Sequence, residues 1–205
     1  MQVQKKQKDR QEMRHSILEE ARALFLVKGY EHTSMRNIAE KIGCSPGTLY
    51  LYFKEKDEIF YALHQEGFRK LTGMMAPLRF VENPFERLKA LGRVYMDFAL
   101  NNKDLYDLMF ILQAPMNMEE NKECWDEGQK ALSFLKSVLD DCQCAGWFRG
   151  LNLESFSFII WSAMHGMCAL YCRDRCQAYE GQDPVRLMED GYVLFIDLLE
   201  KFKAA

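Results

Sequence analysis

The stretch from Gly29 to Phe53 most constrains the fold, because it packs two helix stops and two helix starts into 25 residues. A periodic run with Ile17, Leu18, Ala21, Leu24 and Phe25 at three- and four-residue spacing predicts a first helix over Arg10 to Lys28, closed by Gly29. Thr33 or Ser34 then offers a side-chain oxygen to cap a second helix, Met35 to Ile42, whose apolar positions are Ile38, Ala39 and Ile42. Gly43 stops it. Ser45-Pro46, a cap followed by proline at the first helical position, starts a third helix running to about Phe53. Three short helices this close together must cross at sharp angles over a small apolar underside formed by Ile38, Ala39, Ile42 and Leu49.

Downstream, an apolar-periodic connecting helix passes through Ile59, Phe60, Leu63, Phe68, Leu71 and Met75 until Pro77. Further helices are predicted over Pro84 to Asn101, Lys103 to Leu112, Glu120 to Ala145, Leu153 to Gln177 and Pro184 to Phe202. No strand pattern, repeat or low-complexity tract interrupts them. With 12 Gly and 5 Pro in 205 residues, the expected fold is all-α: three short N-terminal helices followed by a larger bundle.

Charge divides the same way. Residues 1 to 56 hold 11 Lys/Arg against 7 Asp/Glu, net +4, and residues 57 to 205 hold 16 against 23, net −7. A basic module on an acidic body points to an anionic partner such as nucleic acid. Lys5, Lys6, Lys8 and Arg10 form a basic tail that is either a solvated arm or a further phosphate contact. Seven cysteines and a start without an apolar signal core point to a reduced, cytoplasmic setting. Ser155 to Cys172 runs 18 residues without a charge, but its serines, His165 and Gly166 fit a helix buried in protein better than one in lipid, so no membrane partner is expected.

The ordered residues Ile17-Leu18, Ala21, Leu24-Phe25, Gly29-Tyr30, Thr33-Ser34-Met35, Ile38-Ala39, Gly43, Ser45, Gly47-Thr48-Leu49-Tyr50, Tyr52-Phe53 and Lys56 resemble the DNA-binding domain of the TetR (tetracycline repressor) family of transcriptional regulators. The resemblance implies a helix-turn-helix DNA-binding domain over 1–56 and a ligand-binding and dimerisation domain over 57–205. It implies a homodimer on a double-stranded DNA operator, released by a small apolar or aromatic effector. It places DNA contacts at Thr33, Ser34, Arg36, Ser45, Pro46, Gly47, Thr48, Tyr50, Tyr52 and Lys56. Packing beneath the domain is the preferred reading for Phe53, and for Tyr52 packing and phosphate contact both stand open. Leu51, between the two tyrosines, has no donor.

In the C-terminal part, Trp161-Ser162-Ala163-Met164-His165-Gly166 resembles the tryptophan-to-His-Gly motif of one subclass of that family. The helices Leu153 to Gln177 and Pro184 to Phe202 are apolar around much of their circumference, which favours pairing with a second copy. Candidate effector-lining residues are Tyr95, Phe98, Met109, Phe110, Gln113, Trp125, Phe134, Trp161, Met164 and His165, against the plainer reading that they are core. His165, Cys168, Cys172 and Cys176 are spread over about 16 Å of helix, too far for one ion, so neither a metal nor another cofactor is expected. The four histidines have no nucleophile beside them and there is no glycine-rich phosphate loop, so an enzyme is the weaker alternative, as is a membrane-associated adaptor using Ser155 to Cys172.

Overall fold

The structure, a computed structural model, describes residues 2–112 and 126–203. Among them are α1 Gln2–Lys28, α2 Met35–Ile42, α3 Pro46–Tyr50, α4 Lys56–Met75, α5 Pro84–Asn101, α6 Lys103–Phe110, α7 Asp126–Cys144, α8 Leu153–Cys172 and α9 Pro184–Glu200. No strand occurs among the described residues, only an isolated backbone bridge between Trp147 and Lys203. The fold is all-α, as the periodicity predicts.

The chain forms two compact units, one from Met1–Phe68 with Asp104–Trp125 and the other from Arg69–Lys103 with Asp126–Ala205. In the first, α1 begins well before the predicted Arg10. Its opening Gln, Lys and Arg residues are good helix formers without an apolar stripe, so propensity extends the helix where periodicity gives no signal. Lys8 and Glu12 pair one turn apart at 3.7 Å. Gly29 closes α1 in the left-handed region, φ +81°. Ser34 caps α2 in a capping box with Asn37. At its other end Gly43 takes φ 77°, and the Gly43 and Cys44 amides donate to the carbonyls of Glu40 and Ala39, a Schellman closure that only a residue tolerant of positive φ completes cheaply. Ser45 caps α3, its hydroxyl accepting from the Thr48 amide at 3.1 Å, with Pro46 in the first turn. α3 ends at Tyr50, shorter than expected, and a turn over Leu51 and Tyr52 leads out of it.

Ile38, Ala39 and Leu49 are fully buried against Ile17, Ala21 and Phe25 of α1 and Ile59 and Leu63 of α4. Leu108 of α6 joins the same cluster. Below it, Phe68 meets Phe110 edge-on at 5.4 Å, and the Met109 thioether fills the space that a side chain at Gly67 would take. His64 is buried 4.9 Å from the Phe68 ring, and burial pulls its imidazole down to about 4 against an opposing hydrogen bond with the Met109 backbone.

In the second unit α5 packs on α7 and α8, and α8 packs on α7 and α9. Asn83, Asn152 and Asp183 cap α5, α8 and α9, with Pro84 and Pro184 in the first turns of α5 and α9. Phe85 stacks flat on Trp147 at 3.9 Å, and Lys203 lies 5.0 Å over the same indole. Gly92 lets Tyr192 come against α5, where the phenol donates to the Lys89 carbonyl. α8 stops at Cys172 rather than Gln177 because Asp174 turns left-handed, φ 53°, before a short 3-10 helix, Arg175–Ala178. Aspartate is among the few non-glycine residues that tolerate this region. By length and composition α8 is apolar enough to cross a membrane, though Phe156, Ile160, Met164 and Cys168 are buried in the unit.

Three outcomes bear on stability. Above the ordinary histidine pKa of 6.5 His64 is neutral in both folded and unfolded chains, and between 6.5 and about 4 only the unfolded chain takes up its proton. Stability therefore falls as pH drops through that window, by on the order of 3 kcal/mol, and levels off below it. Urea midpoints across this range should decline, and His64→Leu should flatten the decline. A methyl group on Gly92 would lie 2.6 Å from the Tyr192 ring, so Gly92→Ala should cost about 1–3 kcal/mol. Gly73→Ala, with nothing within 4 Å, should gain about 0.5–1 kcal/mol of helix stability in the same denaturation.

Candidate functional site

Burying Leu49 turns the opposite side of α3 outward. Ser45, Pro46, Gly47 and Tyr50 are exposed, and Thr48 is half-buried with its hydroxyl 2.9 Å from that of Ser45. Leu51 continues the right-handed turn, φ −73°, and is 74% exposed. Ser34 and Arg36, at the start of α2, are also exposed, and the Ser34 hydroxyl is hydrogen-bonded to Asn37. These residues lie within the segment of net charge +4. Such a surface, a short helix standing on a buried leucine within a segment of net positive charge, has the shape and charge to approach a major groove.

Three of the sequence-derived contact residues sit differently. Thr33 is buried, 2% exposed, and its hydroxyl donates to the Gly29 carbonyl at 2.8 Å. Lys56 is half-buried, its ammonium donating to the Tyr30 carbonyl at 2.7 Å and lying 3.9 Å over the Tyr30 ring. Tyr52 is half-buried against the core of the unit, and Phe53 is buried with the Arg14 guanidinium 4.9 Å over its ring. Thr33 is held by the end of α1, and Lys56 by a latch at Tyr30 that sequence reasoning missed. The Tyr30 phenol donates to Asp57, and burial, this hydrogen bond and the carboxylate's charge all raise its pKa above the ordinary tyrosine value, so it stays protonated. Tyr30 also meets Phe60 edge-on at 5.3 Å and Phe25 at 5.6 Å. Tyr30 and Asp57 lie 27 residues apart, and no local pattern announces such a contact.

Of the effector-lining candidates, Tyr95, Phe98, Phe134, Trp161, Met164 and His165 lie in the second unit and Met109 and Phe110 in the first, while Gln113 and Trp125 fall outside the described residues. Three of them meet. The Trp161 indole N–H donates to the Tyr95 hydroxyl at 3.3 Å, and that hydroxyl lies 3.3 Å from His165 Nδ1. Burial lowers the His165 pKa, which favours the neutral imidazole. Phe98 and Met164 are buried, and Phe134 is half-buried. A polar chain of this kind between apolar helices can orient a ligand's polar end, or simply join α5 to α8.

Cys168 and Cys142 are fully buried, and burial first, with a neighbouring group's charge, pushes both thiols up to about 12, so they are poor nucleophiles. Cys172 lies 3.7 Å from the Ala99 carbonyl. Among the described residues no three His, Cys, Asp or Glu side chains gather in a way that could hold a metal.

Comparison with known proteins bears on both units. Residues 17–63 match the family model described as bacterial regulatory proteins, tetR family, and residues 88–191 match the tetracyclin repressor-like C-terminal domain, a description that names no subclass. Curated relatives include HTH-type transcriptional regulators of Staphylococcus aureus strains USA300 and NCTC 8325, each 28% identical over 131 residues. Those matches span 64% of this chain and 63% of each relative. Among solved structures, a tetR-family regulatory protein from Rhodococcus RHA1 shares the fold with TM-score 0.72 at 19% identity, covering 94% of this chain and 98% of that one. FadR from Bacillus subtilis, solved with stearoyl-CoA, gives TM-score 0.72 at 19% identity over 89% of this chain and 97% of its own. The ketosteroid regulator KstR2 of Mycobacterium tuberculosis gives 0.70 at 20% identity, covering 94% and 96%. With its helix-turn-helix and its C-terminal helical part both matched, the chain belongs to the TetR family of DNA-binding transcriptional regulators.

Proposed function

We propose that this regulator is a cytoplasmic homodimeric repressor that leaves its operator when a small apolar or aromatic effector binds, with 1–56 reading DNA and 57–205 sensing and dimerising. The observation that carries the DNA-reading half is the outward face of α3, held out by its buried Leu49 and capped by Ser45. Pro46, Gly47 and Thr48 approach the bases, Tyr50 reaches a phosphate, and Ser34 and Arg36 flank them from α2. Thr33 and Lys56 support this surface from within, and Tyr52 packs beneath it.

Dimerisation is supported by apolar exposure on two adjacent helices. Phe158 and Ile159 of α8 are 65% and 56% exposed, and Val193, Leu194 and Leu198 of α9 are 45%, 59% and 48% exposed. An apolar surface shared by two packed helices is what a second copy covers in a two-fold pairing, and it explains the hydropathy of α8 without a membrane. For the effector, the Tyr95, Trp161 and His165 chain supplies polar handles beside Phe98 and Met164. The fatty-acid and ketosteroid regulators among the structural neighbours lend the apolar class support.

Three experiments test DNA reading, dimerisation and effector binding separately. Binding of the full chain to duplexes selected from a random pool should weaken steeply with salt, and Arg36→Ala should lower the slope of log K against log salt by about one. Tyr50→Ala should weaken binding on every sequence alike, and unchanged affinity in both variants would remove these contacts from the interface. In sedimentation, the wild type should run as a dimer and Phe158→Glu with Leu194→Glu as a monomer of unchanged helix content. A wild-type monomer would overturn the pairing. Thermal-shift and operator-release assays with fatty acids, acyl-CoA thioesters, steroids and aromatic compounds should find at least one that both stabilises the protein and releases DNA.

A further inference from the structure

α3 and its following residue contain no Arg, Lys, Asn or Gln, the side chains that read a base by paired hydrogen bonds. Proline 46 and Gly47 offer no side-chain donor, and Ser45 and Thr48 pair their hydroxyls with one another at 2.9 Å. The side of α3 opposite the buried Leu49 is therefore marked by two residues. Gly47 and Leu51 each lie about 200° from Leu49 around the helix, one turn apart. Leu51 keeps helical dihedrals, φ −73° and ψ −16°, and is 74% exposed, so its isobutyl group stands in solvent on the reading surface.

Nothing in the fold demands glycine at 47. Its φ lies outside the left-handed region, and an added Cβ would meet only the Ser45 Oγ, at 3.7 Å. Alanine would suit the helix better by about 1 kcal/mol, so a missing side chain here leaves clearance for something that comes close from outside. An apolar side chain beside an open backbone matches one feature of the major groove, the C5 methyl of thymine, the apolar group among the base edges displayed there.

We infer that this protein reads its operator partly by apolar contact, with Leu51 packing on a thymine methyl group in each half-site and Gly47 admitting the base edge. The inference rests on the DNA-reading assignment above and makes Leu51 a specificity-determining residue. Replacing thymine by deoxyuridine removes the methyl and leaves every hydrogen-bonding edge intact, so the contact is tested atom by atom.

Duplexes selected on the full-length chain are remade with each thymine in turn changed to deoxyuridine, and affinity is measured by fluorescence anisotropy at fixed salt. At one or more positions per half-site the change should weaken binding about fourfold, the worth of one buried methyl group. In Leu51→Ala, whose exposed site leaves thermal stability unaltered, thymine and deoxyuridine at those positions should bind equally. Gly47→Ala should melt no lower than wild type and bind the selected duplex at least tenfold more weakly. Equal affinity for all deoxyuridine duplexes with steep salt dependence intact would overturn the methyl contact and leave DNA reading standing. A thymine preference that survives in Leu51→Ala would overturn the role of that residue. Failure to recover any duplex would overturn both readings.

Discussion

Everything the first unit presents to the outside depends on burying Leu49. A five-residue helix has too few internal hydrogen bonds to persist alone, so α3 exists because its one large apolar side chain is fully buried with Ile38 and Ala39 against α1 and α4. Small Ala39 sets the separation of α2 from what it packs on, and the Schellman closure at Gly43 sets the turn between them. With the underside committed, the remaining side chains of α3 have only solvent or a partner to face. The charge segregation seen in the sequence adds a field that favours an anionic partner, and the local geometry decides which atoms meet it.

The second unit obeys the opposite logic. It is joined by contacts between segments far apart in sequence: Phe85 on Trp147 and Tyr192 on the Lys89 carbonyl within its interior, and Arg87 with Asp141 at 2.6 Å at its surface. The side of α8 and α9 away from this interior keeps large apolar side chains in the open. The first unit thus presents a short helix whose exposed side chains are mostly small or polar, with Leu51 the exception, and the second presents a broad apolar face across two helices, a division suited to two different kinds of partner.

Caps and stops made much of this legible in the sequence. Ser34, Gly43, Ser45-Pro46, Asn83-Pro84 and Asp183-Pro184 act through their nearest neighbours, so α2, the starts of α3, α5 and α9, and the end of α2 fall where local chemistry puts them. Periodicity failed at the start of α1, which is helical without an apolar stripe, and at the end of α8, where Asp174 breaks an apolar run without glycine or proline. Side-chain roles that depend on distant partners were not legible. Lys56 carries a suitable donor for phosphate, yet that donor is engaged by Tyr30, 26 residues away, across a contact no short pattern encodes, while the Thr33 hydroxyl is taken locally by the Gly29 carbonyl. Grouping apolar residues into one cavity by composition likewise could not show that Met109 belongs with Gly67 and Tyr95 with His165.

Leu108 carries a consequence for how such a protein can be altered. It is 1% exposed inside the cluster built by α1 to α4, although it arrives after the whole of α5, which belongs to the other unit. The compact unit that carries the reading residues is thus discontinuous along the chain, and cutting or grafting it at a single junction would leave a hole where that leucine stands. A chimera that exchanges operator preference must transplant α6 along with the first four helices, or else keep the host's own head intact and change only its outward side chains.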